Sequence, residues 1–207
     1  MTDTTQAIKH HLPGPSLPRP SLPRPRLPGD LSPRAMIERI LRVDHAGEYG
    51  AKRIYDGQLA ILGKSANAPT IRHMAEQELK HLSAFDRLLP QRRVRPTLLG
   101  PVWHVAGFAL GAATALMGEK AAMACTEAVE EVIDEHYTRQ LETLDSLAAE
   151  GKAEPELQAL IAEFRAEEIE HRDTAREAGA AEAPAYPVLS QGIKNATKLA
   201  IWLSERI

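Results

Sequence analysis

The feature that most constrains this chain is a set of acids and histidines placed where helix packing calls for apolar side chains. Ile71, Met74, Phe85 and Leu88 form a stripe at 3/4 spacing, and the same spacing passes through Glu78 and His81. Leu157, Leu160, Phe164, Ala175 and Ala178 form a second stripe that includes Glu168 and His171. A third, through Ile37, Leu41, Ala51, Leu59 and Leu62, carries Asp44, Glu48 and Tyr55. A fourth, through Met123, Ile133, Leu141 and Leu144, carries Glu130 and Tyr137. A carboxylate buried alone is so costly that it must protonate, pair or bind a metal. No Lys or Arg lies on these stripes. Two divalent ions would balance one carboxylate from each lone-acid helix and one from each Glu-x-x-His, with two neutral imidazoles completing the set.

Spacing supports metals further. Glu and His at i and i+3 lie on one helix face and can grip the same or adjacent ions. Helix bundles that hold two irons or two manganese ions use a lone Glu from each of two helices and Glu-x-x-His from each of the other two. Here the order is Glu48, Glu78-x-x-His81, Glu130, Glu168-x-x-His171. One Glu-x-x-His carries little weight by itself. Two, on core stripes and each preceded one helix earlier by a stripe Glu, carry more. The competing pattern is a bundle whose Glu and His sit on solvated faces. Four carboxylates and two imidazoles suit Fe or Mn better than Zn or Cu.

The rest of the chain reads as all-α. Aromatics are only 4% of 207 residues, and no segment alternates at period two. Ser32-Pro33 predicts the start of a helix running to Gly63. Asn67 and Pro69 predict the start of a second, closed by Pro90. A third spans 119–149, a fourth runs from Pro155 to Gly179, and an amphipathic helix covers 188–206. The length suits one helical domain over 33–207, preceded by a Pro-rich arm over 1–32. The arm repeats SLPRP and reads as a disordered or polyproline-type tail, with docking to a Pro-binding domain as the alternative. A net charge of −3 gives no footprint for nucleic acid. Cys125 is the only cysteine, which excludes an intrachain disulfide and is expected in the core. No targeting segment is evident, so the expected location is the cytoplasm or the cytoplasmic face of the cell membrane.

Residues 97–118 carry no Asp, Glu, Lys or Arg and are long enough to span a bilayer. Pro101, His104 and several glycines argue against spanning. So does topology, since a crossing would part the two halves of the cluster. The expectation is an interfacial or substrate-channel helix, with bundle closure as the alternative. The basic stretch Gln91-Arg92-Arg93-Val94-Arg95 before it, and the terminal helix with Leu189, Ile193, Ala200, Trp202 and Leu203, suit peripheral membrane contact.

The segments RVDHAGEYGA (42–51), FALGAATAL (108–116), MACTEAVEE (123–131), FRAEEIEHRD (164–173) and APAYPVL (183–189), with the terminal LSERI, resemble the demethoxyubiquinone hydroxylases of ubiquinone biosynthesis. The resemblance runs from about residue 34 to the end. It implies a ferritin-like four-helix bundle with extra apolar and amphipathic helices. It also implies a di-iron centre ligated by Glu48, Glu78, His81, Glu130, Glu168 and His171, with Glu78 and Glu168 bridging. It selects Glu130 over Glu131, and Glu168 over Glu167 and Glu170.

The activity implied is a di-iron monooxygenase that uses O2 to hydroxylate the ring of a polyprenyl demethoxyubiquinol. Such a substrate suits a peripheral membrane protein, and leaves room for a lipid-binding accessory protein and a homo-oligomer. No GxGxxG on a strand-turn-helix is present, so electrons would come from outside or through the quinol itself. A ferritin- or rubrerythrin-like iron oxidase or peroxidase would use the same ligands and is the alternative. Gln77 and Glu167, each beside a bridging Glu, are expected to accept the outer N–H of the opposite helix's histidine. Tyr55 and Tyr137 are expected either as core aromatics with a satisfied hydroxyl or as neighbours of the oxidant. His45 is expected to be structural.

Overall fold

The computed structural model describes residue 27 and residues 29–207. The Pro-rich arm predicted over 1–32 lies mostly outside the described residues. Six helices follow: α1 (Pro33–Leu62), α2 (Ala68–Arg92), α3 (Gly100–Leu116), α4 (Glu119–Ala149), α5 (Pro155–Glu177) and α6 (Tyr186–Ser204), with a 3-10 turn at Ala180–Glu182. No strand occurs among the described residues.

Local chemistry sets most boundaries. The Ser32 hydroxyl accepts the Ala35 N–H at 3.2 Å, and Pro33 takes the first helical position, where no donor is needed. Pro90 does not close α2, as its ring had suggested. It sits in the last turn, and the helix ends at Arg93 in the left-handed region with φ 56°. A proline this close to the end forfeits only a late ladder bond. The uncharged run 97–118 holds one helix that is shorter than the run. α3 has 17 residues, and Gly118 at φ 112° separates it from α4.

Short loops make α1 and α2 one antiparallel hairpin and α4 and α5 another. The hairpins face each other, α3 lies along the outside of α1, and α6 lies along α4. Inside, two apolar layers bracket a polar one. At one end Leu41, Phe85, Leu144, Ile161 and Phe164 pack together. At the other, Tyr55, Ile71, Met74, Met123 and Ala175 do.

α3 approaches α1 through glycine. A Cβ on Gly111 would collide with the Ile54 carbonyl, one on Gly57 with the Phe108 carbonyl, and one on Gly107 would come 2.8 Å from the Gly50 carbonyl. Backbone thus meets backbone along this seam.

Candidate metal centre

Glu48 of α1, Glu78 and His81 of α2, Glu130 of α4, and Glu168 and His171 of α5 meet in the polar layer, all buried. Their donor atoms form two overlapping sets. One is Glu48, Glu78, His81 and Glu168; the other is Glu78, Glu130, Glu168 and His171. Within each set the atoms lie within 4.8 Å of one another. Glu78 and Glu168 belong to both. His81 Nδ1 stands 3.0 Å from Glu168 and 3.4 Å from Glu48, while His171 Nδ1 stands 3.0 Å from Glu168 and 3.3 Å from Glu78.

The supporting contacts cross between hairpins. Glu167 Oε2 lies 2.6 Å from His81 Nε2, and Gln77 Oε1 lies 3.0 Å from His171 Nε2. This is the crossed pairing the sequence predicted. Both oxygens are acceptors, so each Nε2 carries a proton and each Nδ1 faces into the cluster, where loss of its proton would free a lone pair for a metal. The tyrosines cross as well. Tyr137 of α4 donates to Glu48 of α1, and Tyr55 of α1 donates to Glu130 of α4 at 3.2 Å. Burial and the surrounding carboxylates raise both phenols, which keeps them protonated as donors.

The electrostatics are those of a cation site. Both Glu78 oxygens and His81 Nδ1 are buried and make no hydrogen bond. Burial, then the charges of Glu168 and Glu48, hold the Glu78 carboxyl well above the carboxylate range. Burial, then Glu168 and Glu78, do the same to Glu130. Burial opposes ionisation of Glu168, but the imidazoles of His171 and His81 beside it bring it down to about 2. Burial opposes charge on His81, yet Glu168 and Glu48 push it up to about 12. His171 is raised too, as Glu168 outweighs its burial. Without metal, protons must do the neutralising. Two divalent ions fit this donor set by charge, ligand type and the inward-facing Nδ1 atoms.

Beyond this shell the sequence reading placed Asp44 on a core stripe but missed its partners His136 and Gln140, and also Gln58. Asp44, His136 and Gln140 form a buried trio one turn from Glu48. Gln140 Nε2 donates to Asp44 Oδ1 at 2.6 Å and lies 2.8 Å from His136 Nε2. Gln58 bridges the Ala122 carbonyl (3.1 Å) and Thr126 (3.3 Å). One signal was present: Gln140 follows Glu130 at the spacing by which Gln58 follows Glu48. His45 bonds Asp86 at 3.0 Å and ties α1 to α2, a structural role as expected. Cys125 is buried in the core, and burial pushes its thiol up to about 12.

An apolar cavity of about 170 Å³ lies between α1, α3, α4 and α6. Gly47 and Val129, neighbours of Glu48 and Glu130, line it, with Trp103 and Leu110 from α3 and Ala200 from α6. The outer faces of α3 and α6 expose Val102, Val105, Leu116, Leu199 and Trp202. Among the described residues no helix is long and apolar enough to cross a membrane.

Fold and site together define a helical-bundle protein with a buried carboxylate–histidine cluster able to hold metal. The family model described as ubiquinone biosynthesis protein COQ7 matches residues 35–204, and the chain belongs to that family. It is similar to the 3-demethoxyubiquinol 3-hydroxylase of Rhodospirillum rubrum, with 62% identity over 180 residues covering 86% of this chain and 82% of that protein. The human mitochondrial NADPH-dependent 3-demethoxyubiquinone 3-hydroxylase is 52% identical over 174 residues, 84% of this chain and 79% of that protein. The mitochondrial 5-demethoxyubiquinone hydroxylase of Saccharomyces cerevisiae is 42% identical over 184 residues, with the same coverage of each chain.

Proposed function

We propose that this protein is a di-iron monooxygenase that hydroxylates the ring of a polyprenyl demethoxyubiquinol, a late step of ubiquinone biosynthesis. Family membership and hydroxylase relatives support the reaction. The observation that carries the chemistry is the pair of ligand sets sharing Glu78 and Glu168. In this reading Glu48 and His81 would help hold one ion, Glu130 and His171 the other, and Glu78 and Glu168 would serve both. Two bound iron ions would supply the activation of O2, which requires two external electrons per turnover.

The chain's own residues do the rest. Glu167 and Gln77 hold the histidine tautomers. Tyr137 and Tyr55 orient the two lone carboxylates. The apolar cavity beside Gly47 and Val129 receives the quinol ring, fixes it near the lone-carboxylate side and excludes water. The name of the human relative carries a dependence on NADPH. The described elements include no dinucleotide-binding fold, so the reductant would arrive by diffusion or act through the quinol.

Substitution Glu78→Ala should leave a folded protein with less than about 1% of wild-type product from a short-chain demethoxyquinol, beyond the loss usual for an outer partner. Full turnover in that variant would refute the reading. Iron oxidation without hydroxylated product in the wild type would favour a ferritin-like oxidase.

The substrate's isoprenoid tail places it in a bilayer. The exposed apolar residues of α3 and α6, beside exposed Arg93 and Arg95, form the face that would lie at the membrane interface, on the cytoplasmic side. A lipid-binding accessory protein or a second copy would approach the same face. Co-sedimentation with anionic vesicles should fall several-fold in Val105→Glu/Trp202→Glu. Unchanged sedimentation would place the contact elsewhere.

A further inference from the structure

Read as a dimetal site, the cluster gives its two ions the same ligand types: one lone Glu, one His and two shared carboxylates. What stands behind the two histidines differs. His81 Nε2 faces a carboxylate at 2.6 Å, and His171 Nε2 faces an amide oxygen at 3.0 Å. The two residues hold corresponding places. Gln77 and Glu167 each immediately precede a shared Glu, each is half-buried, and each reaches the histidine of the opposite hairpin. The clearest contrast between the two backing groups is a full negative charge against a neutral dipole.

We propose that the His81 subsite binds its ion more tightly than the His171 subsite, and that Glu167 and Gln77 set this order as positioning residues. A charged acceptor makes a shorter hydrogen bond, roughly twice as strong as a neutral one. It draws the Nε2 proton, and the ring becomes a better donor at Nδ1. Lys80 does not cancel this. Its Nζ binds the other Glu167 oxygen at 2.9 Å, its side chain is 55% exposed, and solvent screens it. Its main effect is to hold the carboxylate in the rotamer that serves His81. The inference rests on the dimetal reading and goes beyond it by ranking the subsites.

Titration of the metal-free full chain with Mn(II) alone tests it, followed by electron paramagnetic resonance, which separates an isolated ion from a spin-coupled pair. In the wild type, isolated ions should dominate at one equivalent, with coupled pairs appearing toward the second. Glu167→Gln makes both backing groups neutral. It should weaken the first-bound ion by about 10–100-fold and let coupled pairs appear from the start. Gln77→Glu makes both charged and should also erase the order, by tightening the second ion. The double exchange Glu167→Gln/Gln77→Glu should restore ordered filling, a rescue that general damage to the fold would not produce. If the single variants fill in wild-type order, or the double exchange stays disordered with two ions bound, the inference fails. Disordered uptake of two ions by the wild type would sink the inference alone. No uptake would sink the dimetal reading with it.

Discussion

The α1–α2 and α4–α5 hairpins present the same shell and different surroundings. Glu48, Tyr55 and Gln58 recur at equal spacing as Glu130, Tyr137 and Gln140, and Gln77-Glu78-x-x-His81 recurs as Glu167-Glu168-x-x-His171. Around that frame the halves diverge. Gln140 reaches Asp44, whereas Gln58 reaches the hydroxyl of Thr126. Each long helix also carries an outer helix, fastened differently. α3 meets α1 backbone to backbone at Gly57, Gly107 and Gly111, while α6 meets α4 through Ile193 and the ion pairs Lys194–Glu131 (2.9 Å) and Lys198–Glu135 (3.0 Å). What repeats is the geometry a pair of ions needs. What varies is charge and attachment, which that geometry does not dictate.

The attachment contrast gives the largest expected effect. Gly111→Val sets a branched side chain against the Ile54 carbonyl and should cost about 3 kcal/mol or more, at the upper end of overpacking penalties. Denaturant unfolding measures it, and a near-neutral result would show that the α3 seam is looser than its backbone contacts imply. The next concerns protons, which both halves must release. Burial and neighbouring charge push Glu78 and Glu130 well above the carboxylate range, and neighbouring carboxylates push His81 up to about 12. Metal needs all three deprotonated, so its apparent affinity should rise with pH. The rise should be at least about tenfold per unit between pH 6 and 8, with proton release on binding. Flat affinity across that range would contradict the assigned charge states. The smallest effect tests the repeat itself. Tyr55→Phe and Tyr137→Phe each remove one hydroxyl donor from a lone carboxylate. Each should cost the metal-loaded protein about 1.5–3 kcal/mol, by similar amounts. A loss at Tyr137 alone would show that the trio around Asp44 extends its influence to Glu48.

The buried polar layer was legible because a carboxylate on a helical core stripe is an energetic contradiction that periodicity alone exposes. The crossed roles of Gln77 and Glu167 followed from adjacency to the shared acids. The end of α2 was misread because Pro90 looks like a stop, yet a proline in a last turn is tolerated and the turn is made by Arg93. His136 and Gln140 escaped because their partner, Asp44, lies on another helix, and one stripe cannot say which residue it will face. The glycines of α3 were visible and were read only as weakening a membrane span. That they let two backbones touch is a property of the pair.

Neither hairpin supplies a full donor set by itself. The set around His81 takes Glu168 from α5, and the set around His171 takes Glu78 from α2. A metal held there would cross-link the two halves of the chain, and its escape would be tied to their parting. Its residence time should track the opening rate of the bundle more closely than the strength of any one bond to a ligand. Chelators, on this view, work at the pace at which the hairpins breathe.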